Sequence, residues 1–341
     1  MHFLSLALFI GLVTASPVSK LTPRAASSPP QGAIVVDQSG SVAGSLPTVQ
    51  AGVDALSKTS TEVQTLYIMA GNYTEQVYIQ PLAGPLVVQG QTDDTSSYKG
   101  NKVTISQNRS RNTVAKNDDT ATVRNWSTNT KFYNINLENT FGHTPTNGQA
   151  LAISAQETNQ GYYGMSFLGF QDTILANEGK QLYAKCYVEG VVDFIFGQRA
   201  FAWFEGADIR VFEEAVIVAN GAATEGASKF VINKSNVAAR DANVQKGTAH
   251  LARPWKEFSY TVFQNTELSD VVDPEGWRAW NEATPNTASS TLAEFGNTGA
   301  GAGDKSTRAP FGQFLQAPIA IEDVLGSGWE KESYVDMAYM S

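Results

Sequence analysis

The sequence predicts an all-β chain wound as a parallel β-helix, a solenoid of short strands, with one short helix near its start. Short runs that combine aromatics with alternating polar and apolar residues resemble one another from about residue 65 onward. Their recurrence is near twenty residues, about one coil of such a solenoid. Sustained helical periodicity is scarce, and the hairpin signals an antiparallel sandwich would need are few.

In chain order, residues 3–13 form a short apolar run followed by Val13-Thr14-Ala15. This pattern reads as a secretory signal over 1–15, despite an n-region without Lys or Arg. A short N-terminal anchor is the alternative, but the run is too brief to span a bilayer, and no other stretch could cross one. Residues 16–31, rich in Ser, Pro, Ala and Thr, read as a linker or trimmed pro-segment. Residues 32–341 are expected to form a single solenoid domain. Within it, Leu46, Val49, Val53 and Leu56 follow a helical spacing behind Ser45 as a cap. Strand runs follow at 132–137, 163–168, 183–188, 201–206 and 262–268, with Tyr163 and Tyr183 as markers twenty residues apart. Longer turns between coils would gather on one side as a binding surface.

Composition narrows the chemistry. The chain has 341 residues, 42% of them hydrophobic, so it can bury a large core without metal or disulfide. Its 24 Lys and Arg against 33 Asp and Glu give a net charge of −9, which disfavours nucleic-acid binding. The same charge opposes a fully ionised polyacid, so an acidic polymer handled here should be neutralised or esterified where it binds. The only cysteine, Cys186, can form no internal disulfide and reads as a buried apolar side chain. The three histidines, His2, His143 and His250, have no metal-ligand spacing, and no G-x-S-x-G elbow occurs. Four Asn-x-Ser/Thr triplets, at Asn72, Asn108, Asn125 and Asn233, are compatible with a secreted glycoprotein. A monomer is expected, since no coiled-coil pattern or exposed apolar run stands out.

Two acids sit in aromatic and aliphatic surroundings where an unpaired carboxylate is costly: Asp172 in Gly169-Phe170-Gln171-Asp172-Thr173 and Asp193 in Asp193-Phe194-Ile195-Phe196-Gly197. They are 21 residues apart, one coil, so they should lie side by side, one protonated and the other charged. Gln149 and Gln171 are 22 apart and would aim two neutral amides at one point, as an oxyanion requires. Arg253, in Arg253-Pro254-Trp255, supplies a permanent cation able to hold one acid ionised.

At these residues the sequence resembles the pectin methylesterases, carbohydrate esterases with a right-handed parallel β-helix. Five motifs carry the resemblance in order: Gly71-Asn72-Tyr73-Thr74-Glu75, Gln149-Ala150, Gly169 to Thr173, Asp193 to Gly197, and Arg253-Pro254-Trp255. Ala252 stands where the family usually has Gly, and Ile174 where Leu is common. The short leader and groove loops suggest the microbial, fungal type. The resemblance implies Asp193 as nucleophile, Asp172 as general acid and base, Gln149 and Gln171 as oxyanion donors, and Arg253 as the residue orienting Asp193. It further implies a substrate groove with Trp255 and Trp277, Trp280 being a further candidate, and with Phe194 and Tyr73 as subsite residues. Tyr73 and Glu75 can equally be structural. The substrate would be methylated homogalacturonan outside the cell, with no metal or cofactor. A pectate lyase, a galacturonan hydrolase or a non-catalytic polysaccharide binder would share the solenoid, but none explains paired glutamines beside paired acids.

Overall fold

Short strands joined by tight turns stack coil on coil in the computed structural model, which describes residues 25–142 and 145–340. The expected signal, the first part of the linker and His143 lie outside the described residues. One sheet has 11 strands that follow chain order from Ile34–Val36 to Gln313–Phe314. A second group of 13 strands covers the other faces, and every strand-to-strand pairing in both is parallel. Two long strands, Tyr187–Gly197 and Asp208–Asn220, bend across the corner between those faces. Residues 187–189 pair with Ser166–Leu168, while Ile195 and Phe196 pair with Ile174 and Leu175. All-parallel pairing is the signature of a coil that always returns in the same direction, as the recurrence in the sequence required.

Each strand of the 11-stranded sheet from Thr130–Tyr133 to Thr291–Phe295 ends in one residue of left-handed conformation. Asn134, Gly164, Lys185, Gly206, Lys234, Asn265 and Gly296 all have φ between 47° and 59°. This single residue turns the chain sharply toward the next face. The corners also stack, because each of the first six donates its N–H to the carbonyl just before the next corner, from Asn134 to Tyr163 through Asn265 to Phe295.

Inside, aromatic rings pile along the axis. Phe132, Tyr162, Tyr183 and Phe204 stack at centroid spacings of 5.4, 4.8 and 4.5 Å, and the Tyr162 and Tyr183 hydroxyls donate to Gln160 and Gln181. The register therefore pairs Tyr183 with Tyr162, not with Tyr163, and the true coil step here is 21 residues. Alternate residues of a strand face opposite sides, so the twenty-residue marker joined an inward ring to an outward one. Tyr163 instead packs on the outer face with Trp329, Tyr334 and Tyr339 of the C-terminal segment.

One local expectation changes. The helix spans Val49–Asp54 and its cap is Thr48, whose hydroxyl accepts from Ala51 N–H, rather than Ser45. Leu46 is held in extended pairing with Val36, which keeps the preceding turn out of the helix. Glu75 proves structural: its two carboxylate oxygens accept from the N–H groups of Val49 and Gln50 at the helix start. Cys186 is fully buried, and burial pushes its thiol up to about 12, in keeping with a packing role. Phe204→Ala, which removes one ring from the middle of the aromatic stack, is expected to cost about 3–5 kcal/mol. A lower urea midpoint at unchanged slope would register this loss.

Candidate active site

Asp172 and Asp193 come together as their spacing predicted. Asp172 N–H donates to Val192 C=O, which sets the two aspartates opposite each other on adjacent coils. Both lie in the left-handed region, at φ 64° and 48°, where an Asp costs less than a branched residue and where the chain can turn a carboxylate out of the sheet. The glutamines are also in step. Ala152 and Ile153 both donate to Thr173 C=O, and this bulge adds the one residue that lets 22 positions span a coil between Gln149 and Gln171.

Arg253 follows the strand Ala249–Ala252 and forks onto Asp193, with Nε 2.8 Å from Oδ1 and Nη2 2.6 Å from Oδ2. Its guanidinium also lies 4.3 Å from the centre of the Trp280 ring, so it is held from two sides. Asp172 and Asp193 are only 6% and 7% exposed. Burial pushes Asp172 well above the ordinary carboxyl range, the neighbouring Asp193 pushes it the same way, and Arg253 and the Gln171 amide oppose them only partly. Burial raises Asp193 too, but its fork with Arg253 works against the shift. On rising pH Asp193 is therefore the first of the pair to ionise, which leaves one charged oxygen and one retained proton side by side.

These groups line a cleft of about 260 Å³ together with Asn117, Phe196, Ala219, Trp255 and Trp280. Its apolar floor is an outer cluster of Ala121, Leu151, Leu175, Phe196 and Ala219, against which Trp255 and Trp280 pack. Gly221 makes room for this, since a Cβ there would come within 2.5 Å of the Trp255 ring. The loop beyond is tied back by Asn286, which donates to the carbonyls of Pro254 and Trp255.

Three aromatics expected on the groove are buried instead. Trp277 is 1% exposed and packs edge-on against Phe263, because its pairing with Ala252 turns it inward. Trp280, three residues on, is the one that reaches the cleft. Phe194 is fully buried in the main core, and Tyr73 is 2% exposed with its hydroxyl donating to Met69 C=O. Sequence reasoning missed Asn117, which precedes a short turn braced by Asp118 accepting from Arg124 and Trp126. No motif marked it. Phe196 lay inside a recognised motif, where period-two alternation from Asp193 does not reach it directly.

A carboxylate that ionises first, a partner that retains its proton and two amides around one cleft are the groups that acyl transfer at an ester carbonyl requires. Among the described residues one group able to hold a metal, His250, Asp273 and Glu275, has its ligand atoms within 4.8 Å of one another, but none of the three lines this cleft.

The family model described as Pectinesterase matches residues 33–314. The chain belongs to the pectinesterase family. A pectinesterase of Aspergillus niger is 48% identical over 336 residues, covering 96% of this chain and 99% of that protein. A pectinesterase of Aspergillus aculeatus is 46% identical over 335 residues, covering 96% and 98%. Among solved structures, a pectin methylesterase from Aspergillus niger superposes with a TM-score of 0.83 at 33% identity, over 93% of this chain and 100% of that one. The carrot pectin methylesterase, at 24% identity, shares the fold with a TM-score of 0.78 over 91% and 98%. The right-handed parallel β-helix implied by the sequence motifs is thus the fold of this pectinesterase-family chain.

The raised Asp172 value has a stability consequence. The native state holds this proton more tightly than the unfolded chain, whose carboxyl titrates near 3.9. Above that pH the native state binds more protons than the unfolded one, so the contribution of Asp172 to stability falls as pH rises toward its native value. Asp172→Asn cannot ionise. It is expected to melt at a higher temperature than the parent at neutral pH, with the gap closing below about pH 4. Thermal unfolding followed across that range measures the difference.

Proposed function

We propose that this pectinesterase-family enzyme hydrolyses the C6 methyl esters of homogalacturonan in two steps, through an ester-derived acyl group carried on Asp193. In the first step a carboxylate oxygen of Asp193 attacks the C6 carbonyl, and the carbonyl π electrons move onto oxygen. The amides of Gln149 and Gln171 donate to that oxyanion. As the intermediate collapses, the bond to the methoxy oxygen breaks and Asp172 gives it a proton, so methanol leaves and an acid anhydride joins the sugar to Asp193. In the second step Asp172, now a carboxylate, takes a proton from water as the water attacks the same carbon. Collapse frees the Asp193 carboxylate and the galacturonate, and Asp172 is protonated again.

Arg253 keeps Asp193 ionised and fixes the angle of attack. Trp255 and Trp280 offer ring faces on which sugar units stack. A methylated polymer is nearly neutral where it binds, whereas the product is anionic beside an enzyme of net charge −9, which favours its release. The N-terminal apolar run supports secretion, to a substrate outside the cell. The observation that carries this reading is the pair of buried aspartates one coil apart, only one of which is forked by an arginine.

Methanol release from highly methylated pectin tests it. Asp193→Asn and Asp172→Asn are each expected to abolish release. Gln149→Ala or Gln171→Ala should lower kcat by roughly 10²–10³-fold, and Trp255→Ala should act mainly on KM. Shortening of the polymer, or methanol release that persists at wild-type rate in Asp193→Asn, would overturn the assignment.

A further inference from the structure

The catalytic site accounts for none of the four Asn-x-Ser/Thr triplets, and strand geometry sorts them. In an extended strand residues i and i+2 share a face, so a triplet that lies within one strand turns its asparagine and its hydroxyl to the same side. Asn125 and Ser127 turn inward, whereas Asn233 lies on the outer face beneath the C-terminal segment, beside Glu205, Gln264 and Ile319; Asn125, Ser127, Asn233 and Ser235 are each 5% exposed or less. Their amides are committed: Asn125 donates to Thr130 Oγ1 at 2.8 Å, and Asn233 to a Glu205 carboxylate oxygen at 2.7 Å. A sugar on Asn125 would have to run through the core, and one on Asn233 would break its bonds to Glu205, Gln264 and Asn265 beneath the C-terminal segment, so the folded chain opposes both. Asn108 is exposed, but Ser110 is fully buried and its hydroxyl accepts from Asn112 N–H, so this triplet is folded into a turn.

Asn72 is different. It lies on the strand Gly71–Thr74, where Asn72 and Thr74 are both exposed and Tyr73 between them is buried. The triplet is thus displayed whole on the outer face. The same strand is the first of its stack. It pairs with Val103–Gln107 on one side, and among the described residues no strand pairs with its other edge. An edge without a second strand beside it is, wherever its N–H and C=O groups stay uncovered, a template for pairing with another chain.

We propose that Asn72 is the N-glycan attachment site of this protein and that the glycan shields the open edge of the first coil. A bulky, hydrated oligosaccharide beside this edge bars the approach of a second solenoid end. In the transfer, Asn72 Nδ2 bonds to the anomeric carbon of an oligosaccharide carried on a lipid diphosphate. The carbon–oxygen bond to the diphosphate breaks with its electron pair, and the amide nitrogen gives up a proton to base. The inference rests on the secretory reading of the N-terminal run, since that route supplies the donor.

The full chain with its own leader, expressed in a yeast and recovered from the medium, tests this by glycopeptide mass spectrometry. The peptide holding Asn72 is expected to carry a glycan, and those holding Asn125 and Asn233 to be bare. Asn72→Gln and Thr74→Ala should lose the same single-glycan mass, Thr74→Ser should keep it, and methanol release should be unchanged in all three. Sedimentation should show more self-association in the two variants that lose the glycan. Bare Asn72 in secreted protein, or a glycan on Asn125 or Asn233, overturns the site; unaltered self-association overturns its shielding role. Protein retained in the cell with its leader attached overturns the secretory reading as well.

Discussion

Everything in this molecule depends on a corner that repeats. In seven successive coils one residue sits in the left-handed region at the end of the strand of the 11-stranded sheet, and the backbone hydrogen bonds of each corner are made to the next. A left-handed residue is unfavourable for most side chains, and here Gly, Asn and Lys share the position. The cost is met collectively, because a corner out of place would leave its own N–H and its neighbour's carbonyl unpaired in a crowded layer. Once the corners align, strands fall into parallel register and inward residues meet their equivalents one coil away. The ring stack of Phe132, Tyr162, Tyr183 and Phe204 follows from that alignment.

The aspartate pair is another product of the same register. Asp172 and Asp193 face each other because the coil between them has no insertion, and they share the left-handed backbone conformation that swings both carboxyls toward the cleft. Two buried acids side by side oppose folding, and one arginine forks onto only one of them. The resulting imbalance separates a charged oxygen from a retained proton. The same burial that opposes folding produces this separation.

Much of this was legible in the sequence, and the limits have physical causes. The solenoid, the 21-residue step between the acids and the 22-residue step between the glutamines all survived, because backbone hydrogen bonding converts a count of residues into a position. Tyr163 misled as a marker since an even displacement in an odd-step coil exchanges inside for outside. Trp277 and Trp280 could not be told apart by composition; the pairing of Trp277 with Ala252, a contact between segments 25 residues apart, decides which ring points outward. Asn117 was invisible because it is placed by the Asp118, Arg124 and Trp126 brace, and loop positions set by side-chain contacts carry no period. Phe194 and Tyr73 sat in recognised motifs, and a motif marks a neighbourhood without saying which of its side chains face solvent.

The bulge at Ala152 and Ile153 shows what this architecture permits over evolutionary time. Loops between coils can lengthen freely, as the wider spacing between later corners attests, since an added residue there shifts nothing that is stacked. Within a coil the opposite holds. A single codon gained or lost between Asp172 and Asp193 would rotate one acid to the other face and leave the pair unmade, unless a compensating bulge absorbed it. Gln149 owes its place to one such absorbed residue. Descendants of this chain are therefore free to remodel the rim of the groove by insertion and deletion, while the paired acids and amides can change only by substitution.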